Sequence, residues 1–329
     1  MSRSERPSED SLIARFFAPI AGEGGLGLKD DAARLTPTPS HDLVLTTDAL
    51  VERVHFLPED APGSIARKAL GVNVSDLAAK GADPAGFLLS LALPDSWTES
   101  WLADFAVGLG QASRDFSCPL LGGDTVKARG ALTLSVTAVG QVPTGRMVQR
   151  TTAQAGDLVC VTGIIGDAAL GLKLRAAPAW SNDLSPDEKA HLADRYLHPQ
   201  PRYRLAAALR DHASAAMDVS DGLAGDLAKM MRASGVSAVV EADRVPLSAA
   251  VAKAVQTSSD LLDVALTGGD DYEILCTVPE KALDSFRQEA DRIGIPLSVI
   301  GRVVSGHDRP VFRMNGLERR YDVGSYQHF

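Results

Sequence analysis

The sequence predicts an α/β protein of two domains, and three observations predict it. At 329 residues the chain is longer than one hydrophobic core usually spans. Apolar residues make up 45% of it, enough to fill two cores. Strand-like apolar runs also alternate with segments of helical period along its length. The expected boundary lies near Val148, giving domains at residues 1–148 and 149–329 with a cleft between them.

Taken in order, Leu43 to Thr47 is an apolar strand candidate. Ser64 to Ala79 reads as a helix, with Ile65, Ala69, Val72 and Asp76 at three- or four-residue spacing, which sets Asp76 on or beside an apolar face. Glu99 to Asp115 repeats that period through Leu102, Phe105, Ala106 and Leu109, whereas Leu132 to Val142 alternates like a half-exposed strand. Asp157 to Thr162 is a further strand. Gly163-Ile164-Ile165-Gly166-Asp167 then turns into a helix through Leu174, an arrangement that can point backbone N–H groups at a phosphate. Ser185-Pro186-Asp187-Glu188 has the capping-box spacing of a helix start, and His198-Pro199-Gln200-Pro201-Arg202 is too rich in proline to continue that helix. Leu223, Leu227, Met230 and Met231 mark a helix opened by Asp218-Val219-Ser220-Asp221-Gly222, and Tyr272 to Val278 is a strand directly after Gly268-Gly269-Asp270-Asp271.

A net charge of −9 without Lys and Arg clusters argues against a nucleic-acid surface, so an anionic substrate must arrive with cations. No apolar stretch reaches the roughly 20 residues of a membrane helix, and the polar start Met1-Ser2-Arg3-Ser4-Glu5-Arg6 lacks the apolar run of a signal peptide. A cytoplasmic protein with no membrane or nucleic-acid partner is expected. Cys118, Cys160 and Cys276 stand far apart in apolar runs, as reduced core thiols would.

Six short runs place aspartates beside small or hydroxyl residues in what read as turns: Asp30-Asp31, Thr46-Thr47-Asp48, Val74-Ser75-Asp76, Gly122-Gly123-Asp124, Asp218-Val219-Ser220-Asp221 and Gly268-Gly269-Asp270-Asp271. Carboxylates and hydroxyls are the oxygen donors that Mg²⁺ prefers, and small residues let a backbone approach a ligand. Taken singly, Asp48, Asp124 or Asp221 reads as well as a helix cap or turn former. Asp76 does not, because a carboxylate in an apolar helical stripe is costly to bury without a partner. The sequence has no Walker A motif and no G-x-G-x-x-G turn, and Asp218 to Gly222 supplies only part of an EF-hand spacing.

The ordered set Lys29-Asp30-Asp31-Ala32-Ala33, Thr46-Thr47-Asp48, His55-Phe56, Asn73-Val74-Ser75-Asp76-Leu77-Ala78-Ala79, Leu121-Gly122-Gly123-Asp124, Asp218-Val219-Ser220-Asp221-Gly222-Leu223 and Gly268-Gly269-Asp270-Asp271-Tyr272-Glu273 closely resembles the thiamine-monophosphate kinase family over nearly the whole chain. That family lies in an ATP-binding superfamily with aminoimidazole ribonucleotide synthetase, selenophosphate synthetase and a hydrogenase maturation factor. The resemblance implies an aminoimidazole ribonucleotide synthetase-like fold. Its N-terminal mixed sheet joins a barrel across a homodimer, and a C-terminal α/β domain completes the cleft. It also implies ATP-dependent phosphorylation of thiamine monophosphate to thiamine diphosphate with several Mg²⁺ ions. By similarity, Asp31, Thr46, Thr47, Asp48, Asp76, Asp124, Asp218 and Asp221 share the metals. Gly123, Asp124, Ser220 and Arg150, or Arg146 in its place, contact ATP, while His55, Asp270 and Tyr326 face the thiamine phosphate. Two positions depart from the family pattern: Lys29 stands where Gly is usual and Asp270 where Glu is common. His55 also reads as a strand-end histidine satisfied by backbone, and Tyr326 as an aromatic anchor of the tail.

The implied chemistry suits these residues. Thiamine monophosphate is a phosphomonoester with a second pKa of ~6, so its attacking oxygen is already ionised at neutral pH. The difficulty is repulsion between two anions, which metal ions and positioning offset without a catalytic side chain. The chain ends in His328-Phe329 and its first cysteine is Cys118, unlike the hydrogenase factor with its terminal Cys or selenophosphate synthetase with its N-terminal one. An aminoimidazole ribonucleotide synthetase-like enzyme and a non-catalytic Mg²⁺–nucleotide sensor are the alternatives.

Overall fold

A computed structural model of the chain describes residues 7–314, 316–321 and 324. It divides into two compact units: residues up to Leu77 with Asp83–Gly145, and Ala78–Ala82 with everything from Arg146 onward. No helix among the described residues is long and apolar enough to cross a membrane.

The first unit contains α1 (Glu9–Leu12), β1 (His41–Val51), α2 (Pro62–Ala79), β2 (Asp83–Leu93), α3 (Glu99–Asp115), β3 (Leu120–Lys127) and β4 (Thr133–Pro143). Its sheet runs β1-β4-β2-β3. β4 pairs antiparallel with β1 and β2, whereas β2 and β3 are parallel, as the intervening helix α3 requires. Strand periodicity divides the sheet into two unlike faces. Val44 and Leu50 of β1, Phe87, Leu89 and Leu91 of β2, and Leu134, Val136 and Ala138 of β4 are buried. On the opposite face Leu43, Leu45, Leu88 and Val126 are exposed by 42%, 65%, 40% and 48%, leaving an open face with apolar residues on three strands. The segment before β1 lies along β3: Gly22 N–H donates to the Leu120 carbonyl at 2.8 Å, and Ala21 bridges to Leu120.

The second unit carries a seven-stranded sheet in the order β11-β10-β7-β9-β5-β8-β6. Its strands are β5 (Leu158–Thr162), β6 (Ala215–Asp218), β7 (Ser237–Glu241), β8 (Ile274–Val278), β9 (Leu297–Val304), β10 (Val311–Met314) and β11 (Leu317–Arg319). Its helices are α4 (Asp167–Leu174), α5 (Pro186–Leu197), α6 (Ala206–His212), α7 (Leu223–Ser234), α8 (Ala249–Thr257), α9 (Asp260–Thr267) and α10 (Leu283–Arg292). α7 packs Leu223, Leu227, Met230 and Met231 against Val161, Val240 and Ile300 of the sheet. Leu209 of α6 and Phe286 of α10 share a second core with Cys160 and Cys276. Strands β5, β6 and β8 are buried at every residue, so they show a continuous apolar run and no alternation.

The structure departs from the sequence expectation at several positions. Thr46-Thr47-Asp48 lies within β1, Gly122-Gly123-Asp124 within β3 and Val74-Ser75-Asp76 within α2, so three of the six acidic runs are not turns. Gly123 is small because a Cβ there would lie 1.8 Å from the Leu89 carbonyl oxygen, a close approach between paired strands rather than a bend. The Gly-Gly-Asp of Gly268–Asp270 does occupy a loop. The strand expected from Tyr272 begins at Ile274, because Tyr272 has a left-handed backbone, φ 51°. Cys118, Cys160 and Cys276 are all buried without disulfides, and Cys160 and Cys276 face each other across β5 and β8. Burial pushes the Cys118 thiol up to about 12.

Glu273, just before β8, joins three pieces of this unit. It accepts from Arg202 Nε at 2.7 Å, pairs with Arg202 Nη2, and accepts from Thr162 Oγ1 at 2.7 Å. The Arg202 and Glu273 side chains are only 17% and 6% exposed. Glu273→Gln is therefore expected to cost about 3 kcal/mol, because it strands a buried guanidinium. Glu280→Gln, which removes a pair with Arg302 that is largely in water, is expected to cost less than about 1 kcal/mol. Urea denaturation of the two variants measures the contrast.

Candidate functional site

In the first unit the pleat sorts the acidic and hydroxyl residues. Thr46 and Asp48 lie on the same strand face as Val44 and Leu50, toward α2. Thr46 Oγ1 donates to Asp76 Oδ2, and Asp48 N–H donates to Asn73 Oδ1 at 3.1 Å. Asn73 also donates from Nδ2 to the Ala69 carbonyl at 2.9 Å, which fixes its amide. Asp76 is thus half-buried with a hydroxyl partner, and that contact answers the cost its apolar setting poses. Thr47 points to the opposite face, where its hydroxyl lies 3.1 Å from Thr137 Oγ1 and donates to the Val136 carbonyl at 3.1 Å. Side chains of Thr46 and Thr47 therefore cannot meet at one point within this sheet.

Asp124 shares the face of Thr47. Cross-strand pairing sets Ser135 opposite Ser90, and Ser90 opposite Asp124. Asp30 and Asp31 meet this row from the segment before β1. Together with Ser90, Gly122, Gly123 and Asp124 they line a cavity of about 610 Å³, a volume suited to a small-molecule ligand. Asp31, Gly123 and Asp124 are thus brought together, whereas Thr46, Asp48 and Asp76 form a second group across the sheet. His55 uses its Nδ1 to accept from Val51 N–H at 3.0 Å, the backbone-satisfied strand-end arrangement, which places the proton of the neutral ring on Nε2.

The second unit gathers three loops at one end of its sheet. The Asp218–Gly222 loop follows β6, and the Gly268–Glu273 loop precedes β8. Val219 N–H donates to the Glu273 carbonyl, Tyr272 N–H to Val219 and Asp270 N–H to Ser220, at 2.8, 2.8 and 2.9 Å. Gly269 permits this, since a Cβ there would lie 2.1 Å from the Ser220 carbonyl oxygen. Asp270 has φ 73°, a conformation that aspartate tolerates, and Tyr272 Oη donates to its carboxylate at 3.2 Å.

Three amides of the turn Gly163–Asp167 are taken by protein acceptors. Gly163 N–H donates to Pro296, Ile165 N–H to Pro246 and Gly166 N–H to the Asp271 carboxylate, at 3.0, 2.9 and 3.0 Å. Burial raises Asp271 well above the usual carboxylate range. Asp167 is held by Ser248 Oγ and by His191 Nε2 at 2.7 Å. Three of the turn's amides and its Asp167 carboxylate are thus engaged within the protein.

Sequence reasoning missed Asp226 and Lys229. Asp226, in the first turn of α7, accepts from Ser220 N–H at 3.0 Å and Asp221 N–H at 2.9 Å, so it holds the loop of Asp218, Ser220 and Asp221 in shape. Lys229 bridges Asp221 and Asp226, and although burial opposes its charge, the two carboxylates outweigh burial and raise its pKa. The available signal was a carboxylate beside Leu223 and Leu227 on an apolar stripe, the same signal that singled out Asp76. Of the two candidate arginines, Arg146 is engaged with Asp211 and the Arg210 carbonyl, at 2.6 and 3.0 Å. The Arg150 side chain is exposed and has no partner among the described residues. Tyr326 lies outside the described residues.

Among the described residues no three His, Cys, Asp or Glu side chains converge as a ready metal cage. The donors present are nonetheless hard oxygens, and Asp31, Asp124 and Asp221 keep their carboxylates at the surface, as metal ions held jointly with substrate phosphates require.

Comparison with known proteins places this geometry. The AIR synthase related protein N-terminal domain matches residues 29–142, and the corresponding C-terminal domain matches residues 154–312. The thiamine-monophosphate kinase of Salmonella typhimurium is 39% identical over 327 residues, covering 98% of each chain. A crystal structure of the thiamine-monophosphate kinase from Stenotrophomonas maltophilia K279a aligns with a TM-score of 0.81 at 39% identity, over 93% of this chain and 95% of that one. A structure described as AaThiL complexed with AMPPCP and TMP aligns with a TM-score of 0.78 at 30% identity, over 97% and 94%. With both domains matched and the likeness running the length of the chain, this protein belongs to the thiamine-monophosphate kinase family.

Proposed function

We infer that this chain transfers the γ-phosphoryl group of ATP to thiamine monophosphate, giving thiamine diphosphate. The observation that carries the reading is identity of 39% with a thiamine-monophosphate kinase across 98% of both chains. The relative described with AMPPCP and TMP supports the pair of substrates, and the end-to-end likeness favours the kinase over a synthetase-like enzyme or a nucleotide sensor. Purified protein given ATP and thiamine monophosphate is expected to form thiamine diphosphate, and chromatography of the products tests it. ATP as co-substrate makes the cytoplasm the expected place of action.

Mg²⁺ belongs to this reading, with Asp31, Thr46, Thr47, Asp48, Asp76, Asp124, Asp218 and Asp221 as the residues that would hold it. Its chemistry, when bound, is to neutralise phosphate charge so that two anions can approach. The protein's own part is positioning. The Asp226 clamp fixes Ser220 for ATP, Arg150 is the arginine left available for it, and His55, Asp270 and Tyr326 are assigned to the thiamine phosphate side. No general base is required, because the acceptor oxygen is already ionised near neutral pH.

A homodimer joined through the first unit is part of the proposal. Exposed Leu43, Leu45, Leu88 and Val126 support it, since a sheet face of that kind is ordinarily covered. Leu88, Ser90, Thr137 and Asp124 on this face also line the 610 Å³ cavity, which would set the site beside the subunit boundary.

Three outcomes follow from this reading. Asp124→Asn and Asp76→Asn are each expected to lower kcat on the order of 100-fold while leaving urea stability near wild type, since both keep side-chain volume and neither carboxylate is fully buried. Near-normal turnover at saturating Mg²⁺ would remove the metal assignment. With a chiral γ-phosphorus, inversion is expected from one in-line displacement; retention, or phosphoprotein trapped with ATP alone, would indicate an aspartyl intermediate. Leu45→Glu is expected to shift the protein to monomer in sedimentation velocity, and an unchanged dimer would place the interface elsewhere.

A further inference from the structure

We infer that Lys229 is an internal cation that occupies the Asp221 carboxylate and competes with a divalent ion for it. The inference rests on the reading of Asp221 as a metal ligand. It assigns a role to a residue outside the acidic motifs.

The ammonium of Lys229 contacts two carboxylates that differ in kind. Asp226 has no exposed side-chain surface, and its Oδ2 already accepts the Ser220 and Asp221 amides, while its Oδ1 takes Lys229 Nζ at 2.8 Å. That contact anchors the lysine. From the anchor the same ammonium reaches Asp221 Oδ2, on a side chain that is 39% exposed. A lysine serving only to neutralise the buried Asp226 would be satisfied without the second contact, and holding a long side chain to both costs rotamer freedom. The second contact places one positive charge on the carboxylate that the nucleotide loop offers to solvent. Mg²⁺ binds carboxylate oxygen at ~2.0–2.1 Å, so an ammonium on that group would stand within a few ångströms of the ion and repel it. Metal entry at Asp221 therefore requires Lys229 to withdraw toward Asp226, the partner that already holds it. In the metal-free protein the lysine in turn limits repulsion between Asp221 and Asp226 across the same loop.

The test is Mn²⁺ titration of the full-length protein without nucleotide, with free Mn²⁺ read by electron paramagnetic resonance. Lys229→Met is expected to bind Mn²⁺ ~5–10-fold more tightly than wild type. Because that variant leaves Asp226 buried without its cation, the double variant Asp226→Asn with Lys229→Met is measured beside it and is expected to show the same direction of change. Asp221→Asn is expected to weaken binding and to cancel the gain when combined with Lys229→Met. Equal or weaker binding in both lysine variants, with Asp221→Asn still impaired, overturns the competition, because a lysine that merely positions Asp221 loses affinity on removal. Unchanged binding in Asp221→Asn overturns the metal reading itself, and the competition falls with it.

Discussion

Burying a carboxylate costs several kcal/mol unless hydrogen-bond donors or a cation meet it inside the protein. The second unit depends on meeting that cost at Asp226, Asp271 and Glu273. Each is used in the same way, as an acceptor that ties down polar groups a loop would otherwise leave unpaired. Asp226 takes two amides of the loop after β6, Asp271 takes the Gly166 amide before α4, and Glu273 takes the Thr162 hydroxyl and the Arg202 guanidinium. The loops after β6 and before β8 are also bonded to each other through Val219, Ser220, Asp270 and Tyr272, and Asp271 ties the second of them to the turn before α4. Acidic residues in this chain thus divide into those that shape loops and those that loops present. Asp31 and Asp221 are of the second kind, while Asp124 is presented by strand β3.

The first unit solves its positioning problem with strand geometry. Successive residues of β1 point to opposite faces, so one Thr-Thr-Asp run supplies Thr46 and Asp48 toward α2 and Thr47 toward the open face. α2 contributes Asn73 and Asp76, three residues apart and hence on one helical side, to meet the first pair. A one-residue slip in the pairing of β1 with β4 would exchange these sets and bury Leu45 in place of Val44. The hydrophobic pattern that fixes the register therefore also fixes which oxygen faces which way. Rigid strands and a buried helix are suitable carriers for such groups, since their placement does not rely on loop conformation.

Elements with one dry and one wet face are legible through their period, and β5 and β8, buried at every residue, as continuous apolar runs. α3 runs Glu99–Asp115 as its period indicates, with Thr98 accepting from Trp101 N–H at 3.1 Å as its cap, and β4 alternates through its length. The capping box at Ser185 and Glu188 is formed by both of its hydrogen bonds. β2 escaped notice because Pro84 and Gly86 interrupt its alternation where its pairing with β4 shifts register. β7 and β10 are too short to show a period, whereas α2 is legible over Ser64–Ala79 although the helix is buried nearly all round. At the site, residue types were legible and their surroundings were not. Asp226 and Lys229 stand three apart on a helix outside the acidic motifs, yet one is fully buried and the other spans two carboxylates. The glycine turn before Asp167 read as a phosphate cradle because nothing local reveals that Pro246, Pro296 and Asp271 already accept its amides.

Charge explains why so acidic a protein suits two phosphorylated substrates. A site lined with arginines could bind ATP and thiamine monophosphate directly, but the acidic runs of this chain offer carboxylates in that place. In the proposed reading, carboxylates would instead recruit cations that neutralise phosphate charge during transfer. The cost is an apo protein with clustered negative charge, which must be held together until ligands arrive. Here the clusters are held by hydrogen bonds from Thr46 to Asp76 in the first unit and by the Lys229 bridge in the second. Each contact satisfies a carboxylate in the free protein, and Asp76 and Asp221 are partly exposed, where the metal ions of the proposed reading would replace these partners.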